Sequence, residues 1–193
     1  TLGVAVAGIY GYAAFNEREV EQRFAGLETY YGDQLGRAEF VWKSDAEQLK
    51  SQLEFARILE QQDGRRWHKL TAFLNAQRIF VAFPTLLVLN GAGEILFRYG
   101  AIAHTLEAGE VRDSNWYFAA GLGELYRVFR EPVWLGAEGQ GTLILFKPLD
   151  NAALKRLVIP AVNLLVTWQD RVVARSSDAV PATLADNHRQ ALQ

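Results

Sequence analysis

Two stretches of the chain combine residue types that can hold a small charged molecule. "RDSNWYF" (112–118) and "YRVFREPVW" (126–134) interleave aromatics with arginines, and Lys147 lies in the neighbouring stretch "TLILFKP" (142–148). A guanidinium grips a carboxylate through two parallel hydrogen bonds, and an apolar pocket with one or two fixed cations suits a small organic anion. The candidate ligand-binding residues are therefore Trp116, Tyr117, Tyr126, Arg127, Arg130 and Lys147, with a carboxylate as the group they would grip. In an alternating strand Tyr126, Val128 and Arg130 share one face, and Leu125, Arg127 and Phe129 share the other. The second face is the more apolar and is expected to meet a helix. Tyr126 and Arg130 would then look into a cavity roofed by Trp116 and Tyr117. A bulge near Pro132 would exchange the faces and bring Arg127 inward instead. The plainer alternative makes Trp116, Tyr117 and Trp134 core residues and the arginines solvated strand faces.

Other chemistry finds no constellation. His68, His104 and His188 sit in unrelated segments without metal-ligand spacing. "GAEGQG" (136–141) has the glycine spacing of a phosphate loop, but it joins two strands and no helix follows, so it reads as a hairpin loop. Glu131 with Asp150 or Asp113 would make an acid–base pair only if the fold brought them together, and nothing in the spacing requires that. No enzyme activity is assigned, and no cofactor or metal is implied.

The residues must be positioned by a chain of 193 residues, half of them hydrophobic, which is enough for one large or two small domains with a proper core. The net charge of −2, with no long basic run, leaves no nucleic-acid footprint. With no cysteine, disulfides and thiolate metal sites are excluded. Methionine is also absent and Thr1 comes first, so the chain reads as a piece cut from a longer protein. The uncharged opening "TLGVAVAGIYGYAAF" (1–15) would span about 22 Å as a helix, short of a bilayer core of roughly 30 Å. It reads as the end of a transmembrane helix emerging at "NERE"; the alternative is a buried N-terminal helix or strand.

From Asn16 to about Gln62 apolar residues recur three or four apart, at Val20, Phe24, Leu27, Tyr31, Ala38, Trp42, Ala46, Leu49, Leu53 and Ala56. That is a helix stripe, either one long spine or two helices broken near Gly32 and Gly36. A turn at 61–66 and a shorter helix over 66–80 follow. "TLLVLN" (85–90), apolar on both faces, is expected to be a central strand with Leu87 and Val88 buried on opposite sides, paired with 94–100 across a glycine turn. Residues 101–123 form a connector, with a short helix capped by Ser114. Hairpins over 124–148 and 162–177 flank a helix at 150–158, which Pro148 introduces and Asp150 caps. Residues 178–193 make a polar tail. Helices and strands are segregated, so the fold class is α+β: a long N-terminal helix packed on an antiparallel sheet of about five to six strands.

"PTLLVLNGAGEILFRYG", "YRVFREPVWLGAEGQGTLILFKPLDNAALKRL" and "LLVTWQDRVVARSS" together resemble the extracytoplasmic sensor domains called Cache and CHASE, over residues 16–177. The Trp–Asp pairs of some CHASE domains are missing, as is the Tyr/Arg/Trp/Asp set of amino-acid-binding Cache domains. The resemblance implies a PAS-like sheet in a bacterial transmembrane signalling protein of the inner membrane, with the domain in the periplasm or outside the cell. The parent would be a histidine kinase, diguanylate cyclase or chemoreceptor, held by flanking membrane helices, with residues 178–193 leading toward a second span. A small-molecule ligand and a homodimer along the first helix are the partners expected. The alternative is a membrane-anchored interaction or adaptor domain with no small ligand; a soluble enzyme is a third class.

Overall fold

The apolar stripe that begins near Val20 does form a single long helix, α1 (Glu17–Ser51), which runs through Gly32 and Gly36 without a break. At 1.5 Å per residue it is about 52 Å long. The computed structural model describes residues 2–7, 17–76, 83–111, 113–157, 163–168 and 171–175. The helix stops instead at Gln52, whose backbone is extended (φ −63°, ψ 121°). The core explains why. Had the helix continued, Leu53 would have followed Leu49 on its buried face, whereas Phe55 would have turned away. The break re-aims the chain. In α2 (Leu53–Glu60) Phe55, Ile58 and Leu59 are buried, and Leu53 is left 64% exposed. A turn then leads to α3 (Arg66–Ala76), which buries Leu70, Phe73 and Leu74. The expected extension of this helix to residue 80 falls outside the described residues.

The chain divides into two compact units. One is built from Glu39–Ala119 and Tyr126–Pro148. Its sheet contains β2 (Thr85–Leu89), β3 (Ile95–Tyr99), β4 (Trp116–Ala119), β5 (Glu124–Trp134) and β6 (Gln140–Pro148), in the order β3-β2-β6-β5-β4. The pairings β2–β3, β2–β6 and β5–β6 are antiparallel. Leu87 and Val88 are both fully buried and belong to different core clusters, as a strand covered on both faces requires. The α+β architecture read from the sequence, a long N-terminal helix with a five-stranded antiparallel sheet, is the one observed.

On one face, Leu86, Val88, Phe129, Val133, Leu143 and Leu145 pack with Ala46 and Leu49 of α1 and with the buried residues of α2 and α3. On the other, Leu87, Tyr126, Val128, Ile144 and Phe146 are covered by Ile102, Ala103, Leu106 and Val111 of the connector. The helix expected after Ser114 is instead β4. The Ser114 hydroxyl accepts from Trp116 N at 3.3 Å, making a local turn, and the Asn115 carbonyl accepts from Val128 N at 3.0 Å, which starts sheet pairing. The short helix of the connector comes earlier, α4 (Ala108–Val111).

The other unit comprises Thr1–Ala38, Ala120–Leu125 and Leu149–Gln193. Here β1 (Leu2–Ala7), β7 (Asn163–Trp168) and β8 (Arg171–Arg175) form a second antiparallel sheet, in the order β1-β7-β8. For Leu2–Ala7 the strand alternative is thus the one adopted; residues 8–15 lie outside the described residues. Among the described residues no helix is long and apolar enough to cross a membrane. Asp150 caps α5 (Asn151–Leu157) as expected, its Oδ1 accepting from Ala153 N at 2.7 Å. Leu154 is buried.

Candidate functional site

The connector covers only part of the second sheet face, and the uncovered end is a cleft of about 550 Å³. Its floor is Ile144 and Thr142 of β6 with Arg130 and Pro132 of β5. The registers Arg130↔Ile144 and Pro132↔Thr142 set these residues side by side. One wall is the end of β2 with the turn after it: Leu89, Asn90, Gly91 and Gly93. Asn90 stiffens that turn. Its Oδ1 accepts from Ala92 N and Glu94 N at 3.0 and 2.9 Å, and its Nδ2 donates to the Glu94 carboxylate at 2.7 Å. Gly141 lets the two backbones approach, since a methyl group there would collide with the Leu89 carbonyl and the Leu135 side chain. Asp113 closes the opposite side.

Arg130 is the cation of the cleft. Its Nε and Nη2 donate to Val111 O at 3.1 and 2.6 Å, Nη2 also reaches Ser114 O, and Nη1 lies 3.5 Å from Asn115 Oδ1. Burial pulls its pKa below the usual guanidinium value; the Asp113 carboxylate opposes this shift and the charge of Arg127 adds to it. The group stays charged at neutral pH, and much of its hydrogen-bonding capacity is spent on connector carbonyls. A ligand anion would compete with those carbonyls rather than meet a bare cation.

The β5–β6 register runs unbroken from Tyr126↔Pro148 to Trp134↔Gln140, so there is no bulge at Pro132 and the faces are not exchanged. Of the six residues chosen from the sequence, Arg130 alone lines the cleft. Tyr117 and Tyr126 share its sheet face but pack edge-on against Phe146, with centroids 6.1 and 6.4 Å away, as core. Arg127 lies on the helix-bearing face, its guanidinium carbon 5.3 Å from the centre of the Trp116 ring. Lys147 is also on that face, with its ammonium 5.9 Å from the Phe83 ring. Of the polar groups that do line the cleft, Asp113 lies in the stretch 112–118 singled out from the sequence, whereas Asn90, Gln140 and Thr142 sit in stretches that read only as turns and strand ends. The signal that would have found them is the β2–β6 pairing, in which Leu89↔Thr142 brings the turn after β2 beside the start of β6.

Among the described residues no group of three or more His, Cys, Asp or Glu is placed to hold a metal ion. Compared with known proteins, the chain matches no family model, no curated protein and no solved structure.

Proposed function

We propose that this chain is the extracytoplasmic ligand-sensing domain of a membrane-bound signal-transduction protein, of the histidine kinase, diguanylate cyclase or chemoreceptor type. It binds a small anionic molecule and passes the signal through its long helix. One observation carries the reading: the sheet has a cleft with a half-buried arginine on one face, while the end of a 35-residue helix packs on the other. Such a sheet can relay occupancy of one face to an element on the opposite face. The PAS-like resemblance adds the membrane context, with the domain outside the inner membrane. A ligand shifts the helix only if it binds two arrangements of the domain with different affinity.

The test is a thermal-shift screen of small organic acids on the isolated chain. A true ligand raises the melting temperature with concentration, and Arg130→Ala removes the shift. If no acid stabilises the protein, the adaptor reading replaces the sensor. That second reading has its own support in Phe40 and Val41 of α1, which are 75% and 54% exposed and offer an apolar contact for a protein partner.

A further inference from the structure

Asn115, just before the edge strand β4, is held by two arginines that approach it from opposite faces of the sheet. From the cleft side comes Arg130, through Asn115 Oδ1 and the carbonyls of Val111 and Ser114. From the helix side comes Arg127, whose Nη1 donates to Asn115 O at 2.7 Å. Arg127 is also tied to α1. Its Nε is 2.9 Å from Glu39 Oε1, and its Nη2 is 3.5 Å from Glu39 Oε2.

The second tie is incomplete. Although Glu39 Oε1 is close, it lies off the N–H axis, and the buried Nε has no aligned hydrogen-bond acceptor. A carboxylate facing the Nε–Nη2 edge of a guanidinium makes two parallel hydrogen bonds when both are aligned. Arg127 falls short of that geometry while its Nη1 is drawn to Asn115. Trp116 and Phe129 flank the guanidinium at 5.3 and 5.6 Å, which limits the directions in which it can move. A buried donor left unpaired costs free energy, so the present arrangement competes with one that satisfies Nε.

We propose that Arg127 is a two-position latch between Asn115 of the connector and Glu39 of α1, and that it carries the state of the cleft to the helix; this rests on the sensor reading given above. In the position observed, Arg127 is shared. When an anion takes Arg130 away from Val111 and Ser114, residues 113–115 lose their tie from the cleft side, and the Asn115 carbonyl, still accepting from Val128 N, tilts away from Nη1. Arg127 then turns its Nε–Nη2 edge fully onto Glu39 and tightens the helix against the sheet. Small shifts become discrete ones because each of the two bonding patterns gives up a hydrogen bond that the other makes.

No ligand is needed to test the latch, so its failure is separable from that of the acid screen. Arg130→Ala in the full chain releases the connector from the cleft side. Backbone hydrogen exchange is then followed for the amides of residues 39–46 in α1, with those of α3 as the internal standard for general loosening. The α1 amides are expected to slow relative to α3 by about two- to thirty-fold, the range of coupling through a network of this kind. In an Arg127→Lys background, which keeps the charge but loses the fork, the relative slowing should vanish. It should also vanish with Glu39→Gln. Equal changes in α1 and α3, a relative acceleration of α1, or a slowing that survives Arg127→Lys would each overturn the proposal. Should Arg130→Ala not fold by circular dichroism, Arg130→Lys provides the same release with less loss of packing.

Discussion

The carboxylate of Glu131 in β5 lies 2.6 Å from the ammonium of Lys50 in α1, 81 residues away in the chain. The two partners are unequal, for Glu131 is 7% exposed while the Lys50 side chain still reaches solvent. Removing either one should therefore have different costs. Lys50→Met leaves a buried carboxylate unpaired and is expected to lose about 2–4 kcal/mol, whereas Glu131→Gln frees a lysine that can hydrate and loses about 1 kcal/mol. Replacing both, as Lys50→Met with Glu131→Leu, should recover most of the loss. Urea unfolding of the three variants measures this, and equal losses for the two single changes would contradict the asymmetry.

The same substitution should act with opposite sign at two glycines. Gly36 lies in the exposed middle of α1 with nothing near an added methyl group, so Gly36→Ala is expected to stabilise by about 0.5–1 kcal/mol. Gly100 has φ +98°, and a methyl group there would strike the Pro84 carbonyl. Gly100→Ala should destabilise by more than about 1 kcal/mol. Thermal denaturation of the pair is the check.

Asp63 accepts from Lys69 at 2.7 Å and from Arg65 N at 3.1 Å, and the Lys69 hydrogen bond leads in holding its carboxyl below the usual value. A carboxyl whose folded pKa is depressed adds stability above its unfolded pKa, and that stability is lost as pH falls through the folded value. Carboxyl NMR titration should find Asp63 titrating below ordinary aspartates, and Lys69→Ala should bring it back up. Because the pair lies at the surface, where solvent screens it, the effect on the melting temperature should be small.

If the sensor works as a homodimer along α1, the contact involves Phe40 and Val41 rather than the periodic stripe. Tyr31, Ala46 and Leu49 of that stripe are already buried within the chain. Sedimentation equilibrium should show self-association that weakens at least about tenfold in Phe40→Ser, as expected for an exposed aromatic anchor. A monomer at all concentrations would remove the dimer.

How much of this was legible follows from what each residue's periodicity encodes. The double burial of Leu87 and Val88 was readable because a run apolar on both sides leaves a strand no solvent face. The face assignment on β5 was readable because alternation is rigid and no bulge intervened. The break at Gln52 was not, since it is set by where Phe55 must go in the core and not by a local breaker. The cleft was read one residue deep, through Arg130. Asn90, Gln140 and Thr142 come together through the β2–β6 pairing, which no local pattern announces. Tyr117 and Tyr126 looked like ligand contacts because an aromatic beside a cation has the same appearance in a pocket and in a core.

That central pairing also governs when the fold can exist. Strand β2 lies between β3, its hairpin neighbour, and β6, its remote partner. On a ribosome, the hairpin and the helices emerge well before Gln140–Pro148 is made. Until then β2 is a strongly apolar strand with one open edge, the kind of surface on which chains stick to one another. Closing the middle of the sheet with its last strand makes the contacts remote in sequence, which slows folding and delays it until β6 has been made. A nascent or truncated chain that stops short of β6 has α1 to α4 and the other four strands of this sheet, yet nothing to shield its centre.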